Sequence, residues 1–504
     1  MIVPTALPPA PPPCPNIILF MVDDMGWQDT SVPFWDRRTP LNDTYETPNM
    51  QRLAAQGMCF TQAYATPISS PSRCSLLTGA NAARHRVTNW TFHRDQMTDG
   101  TDDQLLPPDW NYNGIAQIAG TTNTFVARSF VDLLREAGYY TIHCGKAHWG
   151  AQGTPGELPQ HFGFDVNIAG HAAGGLATYL SERNYGFTSD GQPAYDFAVP
   201  GLQKYWGTGI FLTEALTQEA LLALQRCKMD NVRSETEDHP FFLYMSHYAV
   251  HVPVDRDVRF FDKYRRKGLS EKEAAYASLI EGVDKSLGDI LAWLDSNGLA
   301  DNTIVLFMSD NGGYATGSEW RDEPLYIQNA PLRSGKGSLL EGGIREPMIV
   351  RWPGVVQPAS RNDSYVIVED YFPSILEMAG IRHPHVPQHV DGRSFVPLLR
   401  GKKNPSRRRC LVWNYPHVWG NRGPGIDLNC AIRQGSWKLL YSYKTRRHEL
   451  YNIDQDISEQ NDLAQQRPDL VRSLSRKLGR RLRAMDAQRP FDRTTHQPVP
   501  WPDE

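Results

Sequence analysis

The stretch Asn16-Ile-Ile-Leu-Phe-Met-Val22 leads directly into the carboxylate pair Asp23-Asp24. Such a short apolar run, β-branched at its start, is typical of a strand buried on both faces of a parallel sheet. A second run of this kind, Thr303-Ile-Val-Leu-Phe-Met308, is followed by Ser309 and then by Asp310-Asn311. Ligands of open α/β sheets bind at the carboxyl ends of the strands, so both polar ends are predicted to face one site. The alternative for Asp23-Asp24 alone is a helix cap.

The side chains at these two strand ends favour one kind of ligand. They are three carboxylates and one amide, and all four offer oxygen, which suits a hard cation such as calcium. No His or Cys stands among them, which argues against zinc. The sequence therefore predicts a site for a hard cation.

Strand and helix patterns alternate along most of the chain, which predicts a parallel α/β sheet with helices on its faces. One helix is predicted to open with a capping box of Ser270 and Glu273 and to end at Asn297-Gly298. The pattern changes near the basic run at 401–409, beyond which short strand-like segments precede a closing helix near 468–487. We predict a proline-rich lead-in (residues 1–15), a large domain that carries the site (16–400) and a C-terminal subdomain (401–504).

The composition limits the partners of the chain. Its 504 residues are 40% hydrophobic and 21% charged, and the formal net charge is −4. This balance offers no electrostatic case for nucleic acid binding. No apolar run approaches the ~20 residues that a membrane-spanning helix needs. The seven cysteines are irregularly spaced, so no disulfide framework is predicted.

A further motif begins at Ser69. The sequence reads Ser69-Ser-Pro-Ser-Arg73 and continues through Leu76-Leu-Thr-Gly79. It resembles the signature of type I sulfatases, which is Cys or Ser, any residue, Pro, Ser and Arg, followed by Leu-Thr-Gly. In that family the first residue is oxidised to formylglycine (3-oxoalanine), whose hydrated aldehyde is the nucleophile. The resemblance assigns this role to Ser69.

Three more elements follow in the order found in that family. Lys146 and His148 lie in a segment that resembles Gly-Lys-x-His-x-Gly. His251 lies in one that resembles Pro-His-x-Pro, with Val250 in place of the first proline, and Lys336 lies in one that resembles the second lysine element. Each short motif alone can arise by chance. Together with the strand-end carboxylates, they identify the chain as a member of the type I sulfatases of the alkaline phosphatase superfamily, most similar to bacterial carbohydrate sulfatases.

The resemblance implies a fold and a metal. The fold is an alkaline-phosphatase-like α/β/α sandwich with a smaller C-terminal α+β subdomain, an antiparallel sheet plus one helix. The enzyme would be a sulfuric ester hydrolase with one calcium ion. The implied calcium ligands are Asp23, Asp24, Ser69, Asp310 and Asn311.

The resemblance also implies catalytic roles. Arg73 would stabilise the formylglycine hydrate, and His148 would contact its second hydroxyl. Lys146, Lys336 and His251 would hold the sulfate oxygens. Either His251 or Lys336 would protonate the leaving alcohol.

The serine at position 69 bears on maturation. Within the family, serine-type enzymes are modified by a radical maturase that works without oxygen, as in anaerobic or facultative bacteria. The competing explanation is an engineered replacement of cysteine. Unmodified, Ser69 would be a poor nucleophile without a close base.

The expected substrate is a sulfated carbohydrate, because the membrane hairpin of steroid-type enzymes is not found in the sequence. A site built from loops at strand ends favours a pocket and therefore removal of O-sulfate from a terminal residue. The flank at 83–90 is similar to that of enzymes for galactose-type sugars. Candidate sugar contacts, each of which could instead be an ordinary loop residue, are His93, Arg94, Asp95, His171, Trp320 and Arg321.

The amino terminus bears on location. Residues 4–15 hold seven prolines instead of the apolar core of a cleavable signal, which is typical of a flexible lead-in. The expected location is periplasmic or secreted, with the signal not present in this chain.

Two other functions fit the same motifs. A phosphatase or phosphonate monoester hydrolase of the same superfamily would share the fold, although a two-zinc phosphatase needs further Asp and His ligands. A catalytically inactive, glycan-binding relative would keep serine at position 69. Hydrolysis of sulfate against phosphate esters tests the first, and glycan binding without turnover would identify the second.

Overall fold

The computed structural model describes residues 14–233, 239–402 and 408–504. Residues 1–13 of the predicted lead-in and residues 403–407 of the basic run lie outside the described residues. Among the described helices, none combines the length and the hydrophobicity needed to cross a bilayer.

The described strands, in chain order, are β1 (Asn16–Val22), β2 (Met58–Tyr64), β3 (Leu105–Leu106), β4 (Gly114–Ala116), β5 (Thr124–Val126), β6 (Tyr140–Gly145), β7 (Val166–Ile168), β8 (Phe241–Ser246), β9 (Thr303–Ser309), β10 (Arg345–Arg351), β11 (Ser360–Asn362), β12 (Val366–Ile367), β13 (Cys410–Tyr415), β14 (Asn429–Gln434), β15 (Trp437–Ser442), β16 (His448–Asn452) and β17 (Phe491–Asp492).

The described α-helices are α1 (Pro40–Thr44), α2 (Pro48–Gln56), α3 (Ser69–Thr78), α4 (Ala82–His85), α5 (Phe130–Glu136), α6 (Leu212–Arg233), α7 (Phe261–Arg266), α8 (Glu271–Ser296), α9 (Glu341–Ile344), α10 (Tyr371–Met378), α11 (Val396–Leu399) and α12 (Pro468–Ala484). Short 3-10 helices lie at Pro155–Glu157, Pro159–Phe162, Ser181–Arg183, Tyr195–Phe197, Gln203–Tyr205, Ala300–Asn302 and Val368–Asp370.

The main sheet of the large domain is largely parallel. Its strand order is β11-β2-β10-β9-β1-β8-β6-β7, and β12 also pairs with β2. β1 runs parallel to both β8 and β9, and β6 continues the parallel run. β10 runs antiparallel to both of its neighbours. The predicted parallel α/β sheet is therefore confirmed, with one reversed strand.

The side chains of β1 alternate between two separate cores. Leu19 packs into the core formed with α3, α5 and α10, whereas Phe20 packs into the core formed with α2, α6 and α8. A strand covered on both faces has to be apolar at every position, and all seven residues of β1 are buried. The helices thus form two layers around the sheet, which confirms the predicted sandwich.

The C-terminal part is an antiparallel sheet with one long helix. The sheet has the order β13-β14-β15-β16, and α12 packs on it through Leu474, Leu478 and Leu482. β17 pairs with β3, so the end of the chain returns to the large domain. The predicted subdomain architecture is confirmed, and its boundary at residue 400, between α11 and β13, stays a prediction.

The amino terminus of α8 differs in one respect from the prediction. The Ser270 hydroxyl accepts a hydrogen bond from the Glu273 backbone N–H at 3.2 Å, as predicted. The Glu273 carboxylate instead accepts hydrogen bonds from the Arg321 guanidinium (2.9 Å) and the Asp322 N–H (3.0 Å). A charged donor binds a carboxylate more strongly than a neutral backbone N–H does, so only the serine half of the capping box forms.

A buried charge cluster joins the small sheet to the large domain. The Lys438 ammonium lies 3.0 Å from Glu341 Oε1 and 2.9 Å from Glu459 Oε1, and all three side chains are fully enclosed. Burial raises the pKa of Glu459 to about 7. Burial also opposes ionisation of Glu341, but Lys438, Arg433 and Arg345 outweigh it and lower the pKa of Glu341 to about 2. One ammonium thus forms ion pairs with two carboxyl groups whose pKa values are shifted in opposite directions.

We expect Glu459→Gln to stabilise the protein relative to wild type as the pH rises from 5 to about 7.5. The folded protein favours protonated Glu459, so that contribution is present below the ordinary glutamate pKa of 4.5 and is lost as the pH approaches 7. Glutamine mimics the protonated form at every pH. Urea unfolding at several pH values measures the difference in the free energy of unfolding, and a difference independent of pH would contradict the assignment. Glu341→Gln, the matched control, is expected to destabilise above pH 5.

Candidate active site

The register of the sheet brings the two predicted strand ends together. β1 and β9 pair Val22 with Ser309, so the next residues of both strands emerge side by side. The Asp24 N–H donates a hydrogen bond to Asp310 Oδ1 at 3.1 Å, and Asn311 Nδ2 donates to Asp24 Oδ1 at 2.8 Å. The residues following the strands thus meet at one point, as predicted.

Ser69 is the first residue of α3, and its side chain is directed to the place where the two strand ends meet. Its Oγ lies 3.3 Å from Asp23 Oδ1, 3.3 Å from Asn311 Oδ1 and 3.1 Å from the Lys146 ammonium. Ser69 is 3% exposed. Arg73 follows one turn later on the same helix face, so the motif places both side chains in the site.

Three cations surround the three carboxylates. Arg73 contacts Asp310 Oδ2 through Nε (2.9 Å) and Nη2 (2.8 Å). The Lys146 ammonium lies 2.8 and 2.7 Å from the two Asp23 oxygens. The Lys336 ammonium lies 2.8 Å from both Asp24 oxygens. The formal charges of these six side chains cancel.

The electrostatics show that the carboxylates are crowded. Burial and the neighbouring Asp310 charge hold the pKa of Asp23 well above its ordinary value. Burial acts on Asp310 too, but Arg73 and Lys146 lower its pKa below the ordinary range. Lys336 keeps a raised pKa against the effect of burial because Asp24 lies beside it. Enclosing three carboxylates together therefore costs free energy that a bound cation would offset.

The donor set fits a hard cation. Carboxylate oxygens of Asp23, Asp24 and Asp310 lie within 4.8 Å of one another. The Asn311 amide oxygen and the Ser69 hydroxyl, 3.3 Å apart, add two neutral oxygen donors beside them. An all-oxygen set with several carboxylates is what calcium prefers. Among the described residues, this is the one group of three or more acidic, His or Cys side chains arranged to hold a metal.

Two histidines of the predicted site each use one ring nitrogen in a hydrogen bond to a backbone carbonyl. His148 Nε2 donates to the Thr91 carbonyl at 3.0 Å, and His148 Nδ1 is buried without a hydrogen-bond partner among the described residues. His251 Nδ1 donates to the Val252 carbonyl at 2.7 Å, which leaves Nε2 facing Asp24 Oδ2 at 3.8 Å. The ring nitrogen is the donor in both hydrogen bonds, since a carbonyl oxygen can only accept.

The segment Gly174-Gly175 packs against both histidine rings. A Cβ on Gly174 would lie 2.1 Å from His148 Cε1, and a Cβ on Gly175 would lie 3.2 Å from His251 Cε1. Only glycine therefore lets this segment approach His148. Sequence reasoning singled out the neighbouring His171 and missed these glycines, although paired glycines between motif elements are a readable signal of close approach.

The candidate sugar contacts differ in their exposure. Arg94 and Asp95 are exposed, His93 lies beside them with Nδ1 2.9 Å from Gln152 Oε1, and Trp320 lines a cleft with His251. His171 is largely enclosed, and its backbone carbonyl accepts a hydrogen bond from the backbone N–H of His148.

Arg321 is placed differently from the other candidates. It is 1% exposed, binds Glu273 and stacks on the Tyr276 ring at 3.7 Å. Its guanidinium supports the fold at the start of α8, and its enclosure keeps it from contacting a sugar, although Nη1 has no hydrogen-bond partner among the described residues.

Two open clefts lie near His251 and Lys336. The first, of about 480 Å³, has among its lining residues Gly175, Phe197, His251, Asp255 and Trp320. The second, of about 1000 Å³, is lined in part by Trp419, Arg422, Asp102, Asp427 and Lys444. Trp419 comes from the C-terminal part, and sequence reasoning missed it because nothing near it resembles a motif.

Known proteins resemble the chain over nearly its full length. The sulfatase family model matches residues 15–381, and a model for the C-terminal part of N-sulphoglucosamine sulphohydrolase matches residues 335–488. A sulfatase of Formosa agariphila is 30% identical over 93% of this chain and 88% of its own. Human N-acetylgalactosamine-6-sulfatase is 29% identical over 93% of this chain and 84% of its own. The crystal structure of Ps i-CgsB with k-i-k-neocarrahexaose has a TM-score of 0.71 at 27% identity and covers 94% of this chain and 93% of that one.

Proposed function

Because this chain belongs to the sulfatase family and is a sulfuric ester hydrolase, we propose that it removes O-sulfate from a saccharide at the site around Ser69. The fold is the alkaline-phosphatase-like sandwich of its structural neighbours. The observation that supports the proposal most strongly is the convergence of Lys146, Lys336 and Arg73 with three carboxylates beside one buried hydroxyl. A sulfate ester must be neutralised, attacked in line and protonated at its leaving oxygen, and these groups can meet each need.

The cations and histidines have separate tasks in this proposal. Lys146 and Lys336 bind the non-bridging sulfate oxygens. The Lys146 ammonium lies beside Asp23 and the Lys336 ammonium beside Asp24, so the two cations can approach a sulfate from two directions. The Lys336 ammonium can donate a proton to the leaving oxygen, whereas His251 Nε2 can do so only from a doubly protonated ring, because Nδ1 holds the proton of the neutral ring. Burial and the neighbouring Lys336 lower the pKa of His251 to about 3, which favours Lys336 as the acid. His148 offers Nδ1 as an acceptor for a hydroxyl proton on residue 69, since its Nε2–H is held by Thr91.

The modification of Ser69 is part of the proposal. Formylglycine at this position would supply a hydrated aldehyde, a stronger nucleophile than an alcohol. Arg73, anchored by Asp310 and by the Ser246 hydroxyl at 2.7 Å, would fix the helix turn that carries residue 69. A radical maturase is the proposed partner for the oxidation of the serine.

One calcium ion is the proposed cofactor, held by Asp23, Asp24, Asp310, Asn311 and residue 69. With the six charged side chains in balance, the two positive charges of the ion would give the pocket a net attraction for an anionic ester. The ion would polarise the bound ester oxygen.

We expect Asp310→Asn to weaken calcium binding by at least about 100-fold, more than changes outside the ligand set usually do. Asparagine keeps the size of the side chain and its contact with the Asp24 N–H but removes one charge. Isothermal titration with calcium chloride measures the change, with circular dichroism to confirm folding. Asp289→Asn, a surface change at a partner of Lys285, is the control. Unchanged calcium affinity in Asp310→Asn would show that the ion binds elsewhere.

The substrate class rests on the relatives. One of them is named for N-acetylgalactosamine 6-sulfate and another was solved with a carrageenan-type hexasaccharide. We therefore propose a sulfated galactose-type sugar, with sulfate removed from a terminal residue. Exposed Arg94 and half-buried Trp320 are the proposed sugar contacts, together with His93, Asp95 and His171. A periplasmic or secreted location would fit such a substrate.

The function is tested on protein whose Ser69 peptide has been analysed by mass spectrometry, because formylglycine is about two mass units lighter than serine. Sulfate release from N-acetylgalactosamine 6-sulfate and 4-nitrophenyl sulfate is compared with phosphate release from 4-nitrophenyl phosphate. Faster phosphate release would favour a phosphatase. Saccharide binding without turnover by fully modified protein would identify an inactive glycan-binding relative.

A further inference from the structure

Trp419 reaches from the C-terminal part to the sulfate-binding lysine. It lies on the segment between β13 and β14, here called the Trp419 loop (residues 416–428). The Lys336 ammonium lies 5.8 Å from the centre of the Trp419 ring. A Cβ on Gly337 would come within 2.4 Å of Trp419 Cε3, so only glycine allows this contact. The indole is therefore packed against the turn that carries Lys336.

The large domain holds the Trp419 loop at several points. His417 Nδ1 donates to Asp99 Oδ1 at 2.7 Å, and the Thr88 hydroxyl contacts His417 Nε2 at 2.6 Å. The Gly100 N–H donates to the Val418 carbonyl at 2.8 Å. His417 and Thr88 are almost fully buried. These contacts fix the position of the indole before any ligand arrives, which reduces the entropy lost on binding.

The Arg422 end of the loop is also tied down. The Tyr326 hydroxyl donates to the Arg422 carbonyl at 2.9 Å. The exposed Arg422 side chain makes no hydrogen bond or ion pair with a described residue. A fixed backbone thus carries a cationic side chain that is available to a ligand.

The cleft beside Trp419 has the chemistry of a carbohydrate site. Its volume of about 1000 Å³ is at the upper end of the range for small-molecule sites. One wall is the half-buried Trp419, Val418 and Ile426 add apolar surface, and the other side chains of the lining are polar, including Asn421 and Arg422. An aromatic face next to hydrogen-bonding groups suits a sugar ring, which has an apolar face and a rim of hydroxyls.

The charges in the cleft select against an anionic sugar. Lys444 is paired with both Asp102 (2.5 Å) and Asp103 (3.0 Å). With Asp427 and Arg422, three carboxylates face two cations along this lining, which leaves one negative charge. The Trp419 cleft therefore differs from the charge-balanced pocket around Lys146, and a second sulfate would be repelled there.

From these observations we propose that the Trp419 cleft binds the sugar unit next to the sulfated residue, and that this neighbouring unit is uncharged. The terminal sulfated residue then lies between His251 and Lys336, with the saccharide continuing over Trp419. Arg422 and Asn421 hydrogen-bond the hydroxyls of the neighbour. This proposal rests on the proposed saccharide sulfatase function.

The test compares three saccharides and one aryl ester. They are N-acetylgalactosamine 6-sulfate, a disaccharide with this residue at its end and uncharged galactose beside it, the same disaccharide with sulfated galactose, and 4-nitrophenyl sulfate. Wild type should show kcat/KM at least about tenfold higher for the neutral disaccharide than for the monosaccharide, since one stacked ring contributes on the order of a factor of ten. The disaccharide with sulfated galactose should not show that gain.

The variants separate stacking from folding. Trp419→Leu still covers Gly337 but loses the aromatic face, and it should remove the tenfold preference for the neutral disaccharide. Trp419→Phe should restore most of it, and Arg422→Gln should reduce it through KM. Trp206→Leu, a change at an exposed tryptophan outside both clefts, is the control and should keep the preference.

The failures are distinguishable. If modified wild type hydrolyses 4-nitrophenyl sulfate but no saccharide, the saccharide function fails and this inference fails with it. If monosaccharide and disaccharide are equally good substrates, or Trp419→Leu lowers kcat/KM equally for all four, the function stands and the inference is overturned. A preference for the doubly sulfated disaccharide would overturn the uncharged neighbour.

Discussion

Replacing Ser69 with alanine is expected to lower sulfatase kcat by a factor on the order of 10⁴ or more, the loss typical of removing a nucleophile. The Ser69 hydroxyl oxygen is the atom on which Lys146, Asp23 and Asn311 converge, within 3.1 to 3.3 Å. Alanine removes that atom and any aldehyde derived from it. Stopped assays with 4-nitrophenyl sulfate over hours measure the residual rate.

The neighbouring serine offers a matched control. Ser70 is buried beside Ser69, but its Oγ accepts a hydrogen bond from the Thr91 N–H at 3.1 Å. Ser70→Ala loses this hydrogen bond and a longer one to the Thr91 hydroxyl at 3.4 Å, both neutral, and should reduce activity by less than about tenfold. If Ser69→Ala retained more than a hundredth of the wild-type rate while folded, residue 69 would not be the nucleophile.

The second large effect concerns stability. Lys438→Met is expected to lower the free energy of unfolding by about 3–5 kcal/mol, because it leaves two enclosed carboxyl groups without their ammonium partner. Glu341 and Glu459 cannot reach water, since all three side chains are fully enclosed. Unfolding in urea, followed by tryptophan fluorescence at pH 7.5, measures the change.

A lysine on α12 serves as the comparison. Lys477 contacts the Gln434 side-chain carbonyl at 2.6 Å near the surface, and Lys477→Met should cost less than about 1 kcal/mol. Lys438→Met combined with Glu459→Gln should recover part of the loss. Equal effects of the two lysine changes would mean that the buried cluster does not stabilise the junction.

The core of the site could be predicted from the sequence because parallel strands translate sequence position into spatial position. Once two apolar runs are assigned to the same sheet, the residues that follow them have to meet at its carboxyl edge. Asp23-Asp24 and Asp310-Asn311 show this directly, since β1 and β9 are neighbours in register. The position of Lys146 follows from the same rule applied to β6, whereas Ser69 was placed in the site only by the resemblance of its motif.

The periphery of the site could not be predicted, because it depends on contacts between distant segments. Arg321 was predicted to be a sugar contact, but it binds Glu273, which lies 48 positions away in sequence. No local pattern around either residue predicts this ion pair. Trp419 lies more than 80 residues from Lys336, and the two meet only because the small sheet docks beside the site.

The enclosure of Ser69 bears on when its proposed oxidation to formylglycine could occur. At 3% exposure, inside the first turn of α3 and beneath Lys146, its β-carbon is out of reach of a second enzyme once the chain has folded. The proposed conversion to an aldehyde would therefore compete with folding, and a molecule that folded first would keep its serine. Purified, folded protein should be refractory to later treatment with a maturase. Under this proposal, recombinant production would require the modifying enzyme in the same cell during translation, and the fraction of modified molecules would depend on how slowly the chain folds around α3.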